Sequence, residues 1–138
     1  MAPIAFLAEL GATITDPAVG SPVIFDVIHL NDGKAYSNVH GIFTAPVAGV
    51  YHFTLEISGP KGDASHELHI NLMKSTTAVG YVYLDQNAAH WIKRTSTATL
   101  HLAARDDVWV KVISKLGVGQ IAGCCYHSIF SGFLIKSD

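Results

Sequence analysis

The sequence predicts an all-β domain, a ten-stranded jelly-roll β-sandwich, from three observations. Val50 to Ile57 alternates strictly, with Tyr51, Phe53, Leu55 and Ile57 on one strand face and His52, Thr54 and Glu56 on the other. Turn signals at Asp16-Pro17, Asn31-Asp32-Gly33, Ala45-Pro46, Gly59 to Asp63, Arg105-Asp106 and Gly117-Val118-Gly119 cut the chain into pieces of strand length. No stretch calls for a helix of any length, and evenly spaced short strands mean a sandwich or barrel.

Taken in order, the strands fall near Ile4–Glu9, Val23–Val27, Lys34–Val39, Gly41–Thr44, Val50–Ser58, Ser65–Lys74, Thr77–Leu84, Arg94–Leu102, Asp107–Lys115 and Tyr126–Lys136. Before the fifth, Ala45-Pro46-Val47-Ala48-Gly49 makes a corner, because Pro cannot donate to a ladder and Gly accepts positive φ. The last strand differs from the half-buried norm. Ile129, Phe133 and Ile135 share one face, Phe130 and Leu134 flank Gly132 on the other, and the second apolar face needs cover, either from a neighbouring chain or by a fully buried interior position. Val79 to Leu84 has the same character.

At 138 residues the chain is one domain, residues 1–138, long enough to bury about two thirds of its unfolded surface. Charged residues make up 14%, against about 25% in average soluble proteins. So low a charge points to apolar surface buried between subunits, the alternative being a monomer with a neutral polar surface. The nine Lys and Arg form no stripe and the net charge is −2, which excludes a nucleic-acid footprint. No run approaches a membrane span, no Asn-X-Ser/Thr acceptor occurs, and the first residues lack a signal peptide's charged start and apolar core. Cys124 and Cys125 are adjacent, which rules out a framework of structural disulfides. They read as two small apolar core or interface residues, ahead of a vicinal or intermolecular bridge.

Phe25, Asn31, Gly33, Tyr36, Gly41, Phe43, Pro46, Gly49, Tyr51 and Phe53 stand at spacings that resemble the globular head of complement C1q and its relatives. Ile4 to Ala8, Leu100 to Val112 and Ser128 to Leu134 resemble the first strand, the penultimate strand pair and the closing strand of that family. Arg105-Asp106 departs from the family's Gly-Asp, and Gly59 to Thr95 matches poorly. The resemblance implies a C1q/tumour necrosis factor-like jelly roll, a secreted mature form, a homotrimer and a recognition role toward glycans or microbial surface polysaccharide in innate defence. No Gly-X-Y run is present, so the collagen stalk of some relatives is absent from these residues.

Eight histidines stand out: His29, His40, His52, His66, His69, His90, His101 and His127. His66 and His69 lie three apart and on opposite strand faces, so the better pair is Glu67 with His69. One chain supplies few ligands, but three copies could converge on a three-fold axis. Calcium would favour Glu67, as the resemblance implies, whereas zinc or copper would favour His69. The second candidate is Asp85 to Arg94, where Asp85, Asn87, His90, Lys93 and Arg94 offer planar hydrogen-bonding or cationic groups beside an aromatic face, Trp91. That combination suits a sugar ring, and the two cations suit phosphate or carboxylate groups. Either set also reads as ordinary surface.

Catalysis finds no support. Asp106 and Asp107 point opposite ways, Cys125 and His127 have no visible orienting group, and no phosphate-cradling glycine loop or nucleophile elbow occurs. Three functions remain: a multivalent glycan-binding head, an extracellular metal-binding protein, and a trimeric ligand for a cell-surface receptor.

Overall fold

The alternating Tyr51-Phe53-Leu55-Ile57 face is buried completely, and it runs through one of the two longest strands of a computed structural model that describes residues 2–62, 66–86 and 90–138. In chain order the strands are β1 (Ala5–Glu9), β2 (Ile14–Thr15), β3 (Val27–Asp32), β4 (Tyr36–Ser37), β5 (Ile42–Thr44), β6 (Gly49–Gly59), β7 (Glu67–Lys74), β8 (Thr77–Asp85), β9 (Ile92–Leu102), β10 (Asp107–Leu116), β11 (Gln120–Ile121) and β12 (Ile129–Ser137). A single turn of 3-10 helix, Cys124–Tyr126, precedes β12. Among the described residues no helix is long and apolar enough to cross a membrane.

Two five-stranded sheets face one another, in the orders β3-β1-β12-β6-β9 and β4-β5-β10-β7-β8, with β11 and β2 forming a small third sheet. Every named pairing is antiparallel. Between the sheets lies an aromatic core. The Phe6 ring stacks on Tyr36 at 4.8 Å and on Phe43 at 5.2 Å, and meets Phe130 edge-on at 4.9 Å. The Tyr36 hydroxyl is buried with them and donates to the Phe25 carbonyl at 2.7 Å.

Gly132 holds the centre of β12, opposite Phe6 on one side and Phe53 on the other. A Cβ there would lie 2.4 Å from Phe53 Cδ1, so the two rings approach the backbone only because no side chain stands in the way. The outer face of the same strand carries Phe133 and Ile135, 47% and 54% exposed, as its two apolar faces lead one to expect. In β8 the outcome differs. Val82 and Leu84 are buried, while Tyr81 and Tyr83 face outward with their hydroxyls bonded within the chain.

Several boundaries depart from the sequence reading. Val23 to Asp26 forms no regular strand. Pro22 bridges to Lys111 and Val23 N–H donates to Val110, so the chain begins beside β10 in one sheet and pairs with β1 in the other only from Val27. The buried Val23 and Phe25 alternate because the segment crosses the core. The strand expected over Lys34–Val39 shortens to β4, since Lys34 is left-handed at φ 53° and Asn38 to His40 turn. The closing strand starts at Ile129 rather than Tyr126, because the 3-10 turn and left-handed His127 occupy the intervening residues. The cysteines are not core residues: both are exposed in that turn and joined by a vicinal disulfide.

Candidate functional site

Strand β6 has two ends, and most of the residues singled out by sequence lie near its Gly59 end. Gly59 pairs with Ile92, which brings Trp91 to the rim of the sandwich. There the Trp91 indole stacks on Tyr126, with ring centroids 4.2 Å apart and planes inclined by 14°. Trp91 is 47% exposed and Tyr126 46%, so the pair forms an aromatic ledge rather than a lid sealed over the core.

The ledge is held from beneath. The Tyr126 carbonyl accepts from Ser58 Oγ at 2.6 Å and from Lys93 Nζ at 3.1 Å, and the same amine reaches His127 O at 3.3 Å. Lys93 also pairs with Glu56 at 2.9 Å. Lys93 therefore clasps the Cys124–Tyr126 turn and is partly neutralised in doing so, leaving Arg94 as the more available cation beside the ledge. Among the described residues Arg94 bonds only the Lys93 carbonyl, at 3.2 Å. His90 is exposed just before Trp91, Asp85 ends β8, and Asn87 lies outside the described residues.

The fully buried Ser128 anchors this end, accepting from Ser58 N–H at 3.0 Å and donating to Ala122 O at 2.7 Å. Across the sheet Glu9, itself mostly buried, faces His29 at 2.8 Å and His127 at 3.3 Å. Tyr126, the partner of Trp91, escaped the sequence reading. Thirty-five positions separate the two, and no local pattern links them.

Glu67 and His69 do meet on the outer face of β7, with His69 Nε2 3.5 Å from Glu67 Oε2. Both are already partnered by tyrosines of β8: the Tyr83 hydroxyl donates to Glu67 Oε1 at 3.0 Å, and His69 Nδ1 shares a hydrogen bond with the Tyr81 hydroxyl. That bond to the Glu67 carboxylate, ahead of burial, raises the Tyr83 phenol above its ordinary value. One carboxylate per chain falls far short of the six to eight oxygens calcium takes, so a single chain does not fit that ion. The remaining histidines are dispersed: His40 pairs with Ser37, His52 with Thr99, His101 with Asp138, and His66 accepts from Val118 N–H. Among the described residues no group of three or more His, Cys, Asp or Glu is placed to hold a metal ion.

Comparison with known proteins gives a consistent result. The sequence model described as the C1q domain matches residues 5–135. The collagen alpha-1(X) chain of Mus musculus is 31% identical over 119 residues, 86% of this chain and 17% of that protein. Complement C1q tumor necrosis factor-related protein 3 of Mus musculus is 31% identical over 133 residues, 96% of this chain and 51% of that one. The chain thus spans from about a sixth to about half the length of these two relatives. In structure it resembles the globular domain of zebrafish complement 1qA protein, with TM-score 0.69 and 22% identity over 98% of this chain and 99% of that one. It also resembles Eiger TNF from S. frugiperda, with TM-score 0.75 and 10% identity over 100% of this chain and 96% of that one. At these identities the two structures establish the fold.

Proposed function

The chain belongs to the C1q domain family, and from that premise we propose that it is the recognition head of a secreted homotrimer that binds glycans or microbial surface polysaccharide in innate defence. The observation that carries this reading is the Trp91–Tyr126 ledge, half-exposed and held by Lys93 and Ser58. A pyranose ring stacks on such a surface with little ordering cost, because the aromatic pair is already fixed, and His90 and Arg94 flank it with hydrogen-bonding groups. The exposed Phe133 and Ile135 on β12 support burial of that face against a second chain. Three weak sites on one particle gain avidity when several engage one surface. Calcium enters this reading only at a junction of chains, where each contributes Glu67. Binding, not catalysis, is the activity.

The experiment is a glycan array probed with the purified protein in calcium and again in chelator, alongside Trp91→Ala and Tyr126→Ala. Selective saturable binding, lost in both variants, is the expected result. Loss in chelator alone would assign the ion to the site. A blank array from a folded trimer, or unchanged binding by Trp91→Ala, refutes the reading.

The fold shared with Eiger TNF favours a second reading, a trimeric ligand for a cell-surface receptor. It predicts a saturable protein partner and indifference to sugars.

A further inference from the structure

At the opposite end of the sandwich, where β6 starts and β12 finishes, a cleft of about 590 Å³ opens between the β3–β4 corner, β5 and the β9–β10 turn. Eleven residues of β6 separate it from the Trp91 ledge, a span of roughly 30 Å. Its wall carries Lys34, Ser37, His40, Thr44, Arg105 and Asp107.

Lys34 and Arg105 share three properties. Each lines this cleft, each is basic, and each adopts the left-handed backbone conformation, at φ 53° and 74°. That conformation disfavours any residue with a Cβ and is adopted most readily by glycine. Backbone in an uncommon conformation is stored preferentially at binding sites, where the side chain it presents has work outside the fold.

Among the described residues, neither the Lys34 amine nor the Arg105 guanidinium has a hydrogen bond or an ion pair. Of the other cations, Lys74 pairs with Asp106, Lys93 with Glu56 and Lys115 with Asp16, whereas Arg94 has no ion pair among the described residues. The nearby carboxylates are committed as well, Asp107 accepting from Thr44 Oγ1 at 2.9 Å and Asp106 from Ala103 N–H at 2.9 Å. The cleft thus presents two cations without an ion pair, Lys34 and Arg105, against the single carboxylate of Asp107, with the Ser37 hydroxyl and His40 ring, themselves 3.3 Å apart, beside them.

The geometry points to an oxyanion-binding cleft whose occupant is a sulfate or phosphate monoester carried on a small sugar, held by Arg105 and Lys34. Guanidinium and ammonium groups suit a tetrahedral oxyanion. The volume falls within the range of small-molecule sites and leaves room for a sugar-sized body beside Ser37 and His40. The site is separate from the Trp91 ledge and stands or falls independently of it.

Glycine substitution tests this cleanly, because it removes the charge while suiting the backbone already present. Lys34→Gly, Arg105→Gly, the double variant and Arg105→Lys are titrated by calorimetry with N-acetylglucosamine 6-sulfate, unsulfated N-acetylglucosamine, inorganic sulfate and inorganic phosphate. Thermal unfolding is measured in parallel. The intact protein should bind the sulfated sugar more tightly than the unsulfated one, with affinity falling as salt rises. Each glycine variant should weaken binding about tenfold and the double variant should abolish it, all with an unchanged or raised Tm. Arg105→Lys should retain most of the affinity, and Trp91→Ala should leave it intact. Inorganic sulfate or phosphate binding as tightly as the sulfated sugar would keep the oxyanion site and make the free anion its occupant. No saturable binding by the intact protein, equal binding of the unsulfated sugar, or undiminished binding by the double variant overturns the proposal.

Discussion

Replacing Gly132 by alanine adds one methyl group at the most crowded point of the core. The new carbon would stand 2.4 Å from Phe53 Cδ1, 2.7 Å from Cε1 and 3.0 Å from Phe6 Cε1, whereas carbons settle at about 3.5–4.0 Å. The Phe53 ring must therefore retreat by about 1 Å or β12 must bulge. Retreat is blocked, because Phe53 is fully buried and packs edge-on against Phe43 at 5.3 Å, with Tyr51 and Phe130 also close. Overpacking of this kind costs roughly 1–3 kcal/mol. Removing glycine's extra freedom from the unfolded chain returns about 0.5–1 kcal/mol. The net loss is then about 1–2 kcal/mol, a fall in Tm of roughly 4–8 °C for a chain of this length. Thermal unfolding followed by near-ultraviolet circular dichroism, at fixed protein concentration, measures it. Adding Phe53→Leu should cost less in the Gly132→Ala background than in the parent, since it removes the ring the methyl group strikes. An unchanged Tm, or strict additivity of the pair, would refute the assignment of Gly132 as a steric requirement.

Two further perturbations follow from buried polar groups. Ser128→Ala removes the side-chain partner of the Ser58 N–H and the Ala122 carbonyl at a fully buried position, and should cost about 2–3 kcal/mol in denaturant unfolding; because it loosens the Tyr126 turn, it should also raise hydrogen exchange around Tyr126. Burial, opposed only partly by the bond to Phe25 O and reinforced by Asp26, raises the Tyr36 phenol well above the ordinary value of 10.0. A phenol whose folded value exceeds its unfolded value holds its proton more firmly when folded, so its contribution is complete below pH 10 and declines as pH climbs beyond it. Denaturation midpoints measured from pH 8 to 11 should therefore fall at the alkaline end, and Tyr36→Phe should flatten that fall while lowering stability at pH 8 by about 1 kcal/mol.

Burial was far more legible in the sequence than pairing. The period-two pattern of β6 and the doubly apolar β12 are properties of side chains in order, and both elements lie where the pattern puts them. Val23 and Phe25 show the limit. Their alternation reports two residues pointing into the core, which a segment crossing between sheets satisfies as well as a strand does. Glu67 and His69 were correctly placed on one face, but their tyrosine partners depend on the β7–β8 register, which no local signal supplies. Trp91 was likewise identifiable as an aromatic in a polar stretch. Its stacking on Tyr126, and the clasp that diverts Lys93 from the solvent, are products of the closed sandwich.

The position of β12 between β1 and β6 also bears on how the chain comes to fold during synthesis. Residues 129–137 are the last strand of this domain in chain order, yet they are the middle of their sheet. Until they arrive, β1 and β6 each lack a hydrogen-bonding partner on one side, and Phe6, Phe53 and Tyr36 lack the Phe130 ring that completes their cluster. Closure of this sheet is a late event that joins segments more than a hundred residues apart, the kind of long-range pairing that folds slowly and exposes sticky edges in the interval. A chain that stops before residue 129 would keep both edges open, and arrival of this nine-residue strand is the step that covers them.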